Sequence, residues 1–318
     1  MFNNLKIAFQ DKSDKDLNRA YFLFKIINNQ FLSKILTLFI RIFIHIKMPI
    51  SKIALATIYK HFCGGISIDD SNKTINKLSK SNIKTVLDYS SEGNQTEETF
   101  RNTVNEIIKS IKSAKTNINI PFTVFKASGI AKFEILEKIN NNEILTDHEL
   151  SEKKIFINRI ETICKNAYIN KVAIFIDAEE SWIQDGIDNI VLNMMKKYNK
   201  ERTYIYNTVQ MYRKGRLKYI KNLIEDAIEE DYSIGLKIVR GAYHEKEINR
   251  AKKLNYECPV FINKKDTDKD FNNALSICIK NINKVSICAG THNEKSSEIL
   301  IELLNKYNID KNDKRIYF

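Results

Sequence analysis

Residues Val172 to Asp177 read VAIFID, five apolar side chains followed by an acid, and the same arrangement returns along the chain. Ile83 to Tyr89 (IKTVLDY), Pro121 to Lys126 (PFTVFK), Thr203 to Gln210 (TYIYNTVQ), Gly235 to Arg240 (GLKIVR) and Val285 to His292 (VSICAGTH) are short and rich in Ile, Val, Phe or Tyr. Such runs predict parallel strands, apolar throughout because helices cover both faces and leave a polar group no partner. The carboxyl end of each run escapes that rule. Asp88, Lys126, Asp177, Gln210, Arg240 and His292, at or near successive strand ends, would bring acids, bases and an amide from distant sequence onto one rim, as a (βα) barrel does when it builds a site.

From Ile83 onward the strand runs alternate with helical periodicity, the pattern of repeated βαβ units in an α/β fold. Phe100 to Lys112 carries Val104, Ile107, Ile108 and Ile111 on one face. Thr146 and Glu149 form a capping box ahead of a helix bearing Leu150, Ile155, Ile160 and Ile163. Tyr212 to Glu230 repeats the rule with Leu217, Ile220, Ile224, Ala227 and Ile228, and a helix opening near Glu294 carries Ile299, Leu300, Leu303 and Leu304. Met1 to about Lys80 reads instead as helical, punctuated by Pro49 and the Gly64-Gly65 pair. The expected organisation is an N-terminal helical arm or cap over 1–80 and a barrel domain over 81–318. Within the arm, Ile35 to Ile46 (ILTLFIRIFIHI) is interrupted by Arg41 and His45 and falls short of the roughly 20 apolar residues a span requires, so it predicts a buried or interfacial helix.

A chain of 318 residues with 43% hydrophobic content and 3 prolines suits one enzyme-sized core. Its formal net charge of +12 is spread along the sequence and interleaved with acids, which favours a solvated Lys- and Asn-rich surface over a nucleic-acid-binding patch. Five cysteines, Cys63, Cys164, Cys258, Cys278 and Cys288, form no CxxC pair, and the start of the chain does not read as a secretory signal. A reducing compartment, the cytoplasm, is the expectation, with Cys278 and Cys288 as core thiols. His61 and Cys63 lack the second pair that a tetrahedral zinc site needs, so no metal is expected.

Four motifs at strand ends then occur in order: FIDAEESW (175–182), NTVQMY (207–212), LKIVRGAY (236–243) with Glu247 after it, and GTHNE (290–294). Together with Cys63-Gly64-Gly65, Leu87-Asp88-Tyr89 and Glu92-Gly93, they resemble the proline dehydrogenase family, in its monofunctional bacterial branch. The resemblance implies a flavoenzyme on a distorted (βα)8 barrel that oxidises L-proline to Δ1-pyrroline-5-carboxylate, with FAD taking the hydride and a quinone the electrons. It implies Asp177 and Lys237 as catalytic residues, Lys237 lying near the flavin N5, and Lys126 and Tyr243 as substrate-binding residues. Ala178, Gln210, Arg240, Gly241, Ala242, Thr291 and His292 are the implied cofactor-binding set. The residue types are compatible. Hydride transfer leaves negative charge on the flavin, which nearby cations stabilise, and the Gln210 amide can both donate to and accept from a pyrimidine edge. Read without the motifs, Lys237 is a strand-end surface lysine, Glu179 and Glu180 are solvated loop acids, and Lys126 and Asp177 form an ion pair that fixes loops. Quinone reduction further implies contact with a bilayer surface, for which the basic balance and Ile35 to Ile46 are available.

Members of that family continue through an eighth strand to a final helix whose paired arginines clamp the proline carboxylate. Here Arg315 to Phe318 (RIYF) begins a seventh strand and the sequence stops. The expectation is therefore a barrel lacking its last strand and final helix, with the flavin site mostly encoded and the carboxylate clamp absent. Two other readings stand beside it: a non-catalytic flavin- or partner-binding remnant, and a barrel aldolase using Lys126 as a Schiff-base amine.

Overall fold

The apolar runs form seven strands, β1 (Val86–Asp88), β2 (Phe122–Lys126), β3 (Ala173–Asp177), β4 (Ile205–Gln210), β5 (Ile234–Val239), β6 (Val285–Gly290) and β7 (Ile316–Tyr317). They make one sheet in which every pairing is parallel and the strand order is the chain order. The structure, a computed structural model, describes residues 3–29, 31–32, 38, 63–89 and 95–318. Among them β1 and β7 are the two ends of the sheet and do not pair with each other.

Among the described residues, helices cover one face of this sheet and not both. Ile174 and Ile176 of β3, Ile205 and Val209 of β4, Leu236 and Ile238 of β5 and Ile287 of β6 are wholly buried, alternate positions that share the outer face of the pleat. The helices that bury them contribute Ile183, Ile187 and Val191 from Ser181–Tyr198, Ile220, Ile224 and Ala227 from Arg216–Glu229, and Phe271, Leu275 and Cys278 from Lys264–Lys280. The inner face is filled by the sheet itself. Phe122 of β2 stacks on Phe175 of β3 with centroids 4.2 Å apart, meets Tyr206 of β4 edge-on at 5.2 Å, and meets Tyr317 of β7 edge-on at 4.7 Å. A strand can touch another five places along a sheet only where the sheet curls back on itself, so the architecture is an α/β half-barrel with an aromatic floor.

The helical expectations hold in position and differ in detail. Glu97–Thr116 is capped by Thr96 and buries Val104, Ile107 and Ile111 as expected. The capping box is formed: Thr146 N–H donates to Glu149 at 2.9 Å while Thr146 Oγ1 accepts from Glu149 N–H at 3.4 Å. The helix it opens, Asp147–Asn170, buries Phe156, Ile160, Ile163, Cys164 and Ala167, whereas Leu150 and Ile155 are exposed. Phe156 is the bulkier of two adjacent apolar residues about 100° apart on the helix, and it takes the core-facing position. Arg216–Glu229 begins after Gly215, whose φ of +81° ends the turn that follows β4, and Ile228 is exposed. Cys278 is buried, its thiol pushed up to about 12 by burial, while Cys288 lies half-buried on the inner face of β6 at about 11.

The chain falls into two compact units, Met1–Lys84 and Thr85–Phe318. In the first, Leu5–Ala8, Asp14–Asn28 and Ile68–Ser79 are helical, and Ser13 and Ser67 cap the latter two through their side chains, each cap contributing about 1 kcal/mol. Tyr21 and Phe22 lie exposed on Asp14–Asn28. The stretch Ile35 to Ile46 lies outside the described residues except for Leu38, as do His61 and Glu92-Gly93. No described helix is long and apolar enough to cross a membrane.

Phe122→Ala should cost about 3–5 kcal/mol, because it removes the ring that joins β2, β3, β4 and β7 and leaves a cavity. Urea unfolding followed by circular dichroism checks this; a loss below about 1 kcal/mol would show that the rings merely lie near one another.

Candidate active site

Parallel pairing sets the carboxyl ends of the strands side by side. In register, Lys126 faces Asp177, Thr208 faces Lys237, and Gln210, Val239 and Gly290 form one row. Asp177 accepts a hydrogen bond from Lys237 Nζ at 2.6 Å and one from the Thr208 hydroxyl at 3.0 Å, both on Oδ1. Lys237 Nζ also sits 5.3 Å from the centroid of Phe175 in the aromatic floor. The pair is mostly enclosed, with side chains 20% and 23% exposed, so each charge needs the other there. The acid expected to pair with Lys126 therefore pairs with Lys237 instead. Among the described residues Lys126 has no ion-pair partner.

Lys126 opens onto a cavity of about 270 Å³ whose walls include Asp88, Glu179, Glu180, Tyr243 and Lys246. The two residues expected to bind substrate, Lys126 and Tyr243, thus share one cavity. Asp177 and Lys237 are not among the described residues that line it. Their charges reach its wall: Asp88 has its carboxyl pushed above the usual aspartate range, first by desolvation and then by the charge of Asp177, against the opposing pull of Lys126 and Lys237.

Glu179 and Glu180 are not solvated loop acids; each is 3% exposed. Glu179 accepts from Ser128 N–H at 2.9 Å and from the Ser128 hydroxyl, and burial raises its pKa in spite of these bonds. Glu180 pairs with Lys246. Ser181 donates its backbone N–H and its hydroxyl to the two oxygens of Glu247, each at 2.6 Å, and Glu247 is wholly buried at the N-terminus of Ser181–Tyr198, where a carboxylate is favoured by the helix dipole. The segment after Asp177 is consequently held by the turn after β2 and by the helix after β5, and Gln210 of β4 donates to its Glu179 carbonyl. Nothing local in the sequence marks Ser128 or Glu247 as its partners; they meet it only across 51 and 66 residues.

The expected cofactor residues gather on the β4–β5–β6 side. Gln210 is 5% exposed and both ends of its amide are engaged: Nε2 donates to the Glu179 carbonyl at 2.7 Å and Oε1 accepts from Ala242 N–H at 3.2 Å. Arg240 donates to Asp268 and to the Thr291 hydroxyl at 2.6 Å each and to the Ser296 hydroxyl at 2.9 Å, with its guanidinium 4.4 Å from the Phe271 ring. Gly241 has φ +133°, and a Cβ there would lie 2.5 Å from the Tyr212 ring, so only glycine fits. At Gly290 a Cβ would meet Val239 at 2.9 Å and approach Lys237 Cε at 3.9 Å. Gly290 thus adds no side chain to the inner face between Val239 and the Lys237 stem. Ala178 is buried, and His292 is exposed, engaging none of the described polar partners.

A curled parallel sheet with helices outside it and charged groups on its carboxyl rim is the (βα)-barrel type of fold. The chain belongs to the proline dehydrogenase family, whose family model matches residues 71–318. It is similar to mitochondrial proline dehydrogenase 1 of Dictyostelium discoideum, 28% identical over 355 residues with 98% of this chain covered, and to the carbapenem biosynthesis protein CarD of Pectobacterium carotovorum, 27% identical over 240 residues with 76% covered. This chain spans 62% and 63% of the length of those relatives. Proline utilization A of Bdellovibrio bacteriovorus has the same fold at a TM-score of 0.73 and 16% identity, covering 98% of this chain and 33% of that one.

Glu247→Ala should destabilise the protein by about 2–3 kcal/mol, because the half-buried N–H and hydroxyl of Ser181 lose a charged acceptor, whereas Glu247→Gln should cost about 1 kcal/mol. Thermal melts of both variants check this; equal melting of Glu247→Ala and wild type would remove Glu247 as the anchor of the segment.

Proposed function

We propose that the chain oxidises L-proline to Δ1-pyrroline-5-carboxylate in proline catabolism, with FAD as its cofactor and a quinone as the final electron acceptor. The observation that carries this reading is the convergence, inside the segment matched to the family, of Lys126, Asp177 and Lys237 on one strand rim. We assign catalysis to the strand-bearing part, 81–318, and read 1–80 as a helical arm.

The residues present fit a flavin. Gly290 places no side chain of its own beside Val239 and the Lys237 stem on the inner face, and Arg240 and Thr291 offer donors of the kind that hold phosphate. In this reading Lys237, Gln210, Ala178, Gly241 and Ala242 surround the ring, while Arg240, Thr291 and His292 hold the phosphate-bearing end. The flavin, when bound, supplies the two-electron acceptor. Lys237 keeps a positive charge at the edge where negative charge develops, and Asp177 with Thr208 fixes that ammonium in place. Lys126, the unpaired cation of the cavity among the described residues, takes the proline carboxylate, and Tyr243 walls the pocket. Quinone reduction brings the protein to a bilayer surface from the cytoplasmic side, where exposed apolar side chains such as Tyr21 and Phe22 are suited to lie in the interface.

Lys126→Ala should raise KM for proline about tenfold or more while changing kcat less, since it removes a charged carboxylate contact. Lys237→Met should lower kcat by about a hundredfold and make the flavin harder to reduce, since it removes the cation facing developing charge. Proline:dye assays and a redox titration of the purified protein check both. A wild-type protein that retains no FAD and does not turn over proline would overturn the assignment in favour of a non-catalytic role.

A further inference from the structure

Four acids crowd the rim around Lys126, and three of them are engaged. Asp177 is bound by Lys237 and Thr208, Glu179 by Ser128, and Glu180 by Lys246. The fourth, Asp88, ends β1, is paired in register with Val124 on the strand that ends in Lys126, and lines the same cavity of about 270 Å³ as Lys126. Its side chain has no hydrogen-bond or ion-pair partner among the described residues, and Asp88 is exposed. Among the described residues, a cation and an anion without ion-pair partners thus stand on neighbouring strands of one small pocket, the charge pattern complementary to an amino-acid zwitterion.

We propose that Asp88 binds the ring ammonium of the cyclic amino acid whose carboxylate rests on Lys126, and accepts its proton. This rests on the proline-oxidising reading above. The step breaks one N–H bond and forms one O–H bond on Asp88, and no electrons are gained or lost. It matters because an ammonium nitrogen has no lone pair. A hydride can leave the adjacent ring carbon only when nitrogen can supply the pair that forms the C=N bond, so the amine must be neutral first.

The charged groups facing Asp88 are Lys126 from β2, Asp177 from β3 and Lys237 from β5, with Glu179, Glu180 and Lys246 around the same cavity. Desolvation and Asp177 outweigh the two lysines and make Asp88 a stronger proton acceptor than an ordinary aspartate. The sign follows: Asp88 is charged above its raised pKa and holds the ammonium there. As pH falls through that pKa it becomes neutral and releases its hold, at a higher pH than an unperturbed aspartate would.

Binding to the full 318-residue chain tests this, using L-proline and tetrahydrofuran-2-carboxylate, which has the same ring and carboxylate but oxygen in place of nitrogen. In calorimetric titrations at pH 8, Asp88→Asn should weaken proline about tenfold or more and leave the ring-oxygen analogue within about twofold. Asp88→Ser should show the same split, and wild-type affinity for proline should fall on acidification while that of the variants does not follow. Equal weakening of both ligands, or unchanged proline binding, would overturn the role of Asp88 alone. A wild-type chain that binds neither ligand would overturn this proposal together with the reading it rests on.

Discussion

The aromatic contact of Phe122 with Phe175, Tyr206 and Tyr317 sets the geometry on which the rest of the molecule depends. A flat parallel sheet would leave β2 and β7 far apart; these rings bury one another only because the sheet is curled. Once they face inward, the two-residue period of a strand carries the consequence upward. Val124 and Lys126 follow Phe122, Asp177 follows Phe175, and Thr208 and Gln210 follow Tyr206. The chemical groups of the rim are therefore the next rungs of the same ladders that form the floor. Lys237 joins the two levels, its ammonium bound to Asp177 and lying over Phe175.

Above the floor, order comes from polar side chains that tie loops of different strands together. Ser128 binds Glu179, Gln210 joins the Glu179 carbonyl to Ala242 N–H, and Glu247 receives Ser181. On the other side Arg240 links β5 to Thr291 after β6 and to Asp268 on Lys264–Lys280. Buried polar groups are costly unless satisfied, so each link holds its loop to a narrow range of positions. A substrate or cofactor entering such a rim meets groups already oriented. That preorganisation is what separates a site from a set of nearby charges.

Much of this was legible in the residues. Apolar runs ending in Asp88, Lys126, Asp177 and Gln210 are strands ending at those residues, and β5 and β6 end one and two residues before Arg240 and His292. Strand burial is a local property of composition, which is why it reads well. Helical faces read less well where two apolar residues adjoin, as at Ile155 and Phe156, because periodicity alone does not choose between them. Glu179 and Glu180 read as solvated because charge on a loop is usually exposed; their partners Ser128 and Lys246 lie 51 and 66 residues away. The choice of Lys237 over Lys126 as the partner of Asp177 was equally hidden, since both occupy strand positions of the same chemical type.

By itself the amino-acid sequence determined the α/β class, the strand positions and which side chains stand at the strand ends, because each depends on a residue and its near neighbours. It also carried the motifs of the family. Only the tertiary structure decided that the inner face is closed by aromatic rings and not by helices, that Asp177 is committed to Lys237 while Lys126 and Asp88 face the cavity, and that Gln210 spans two loops. Those are pairings between distant segments, and their outcome depends on the curl of the sheet and on which polar groups can be satisfied when it closes around them.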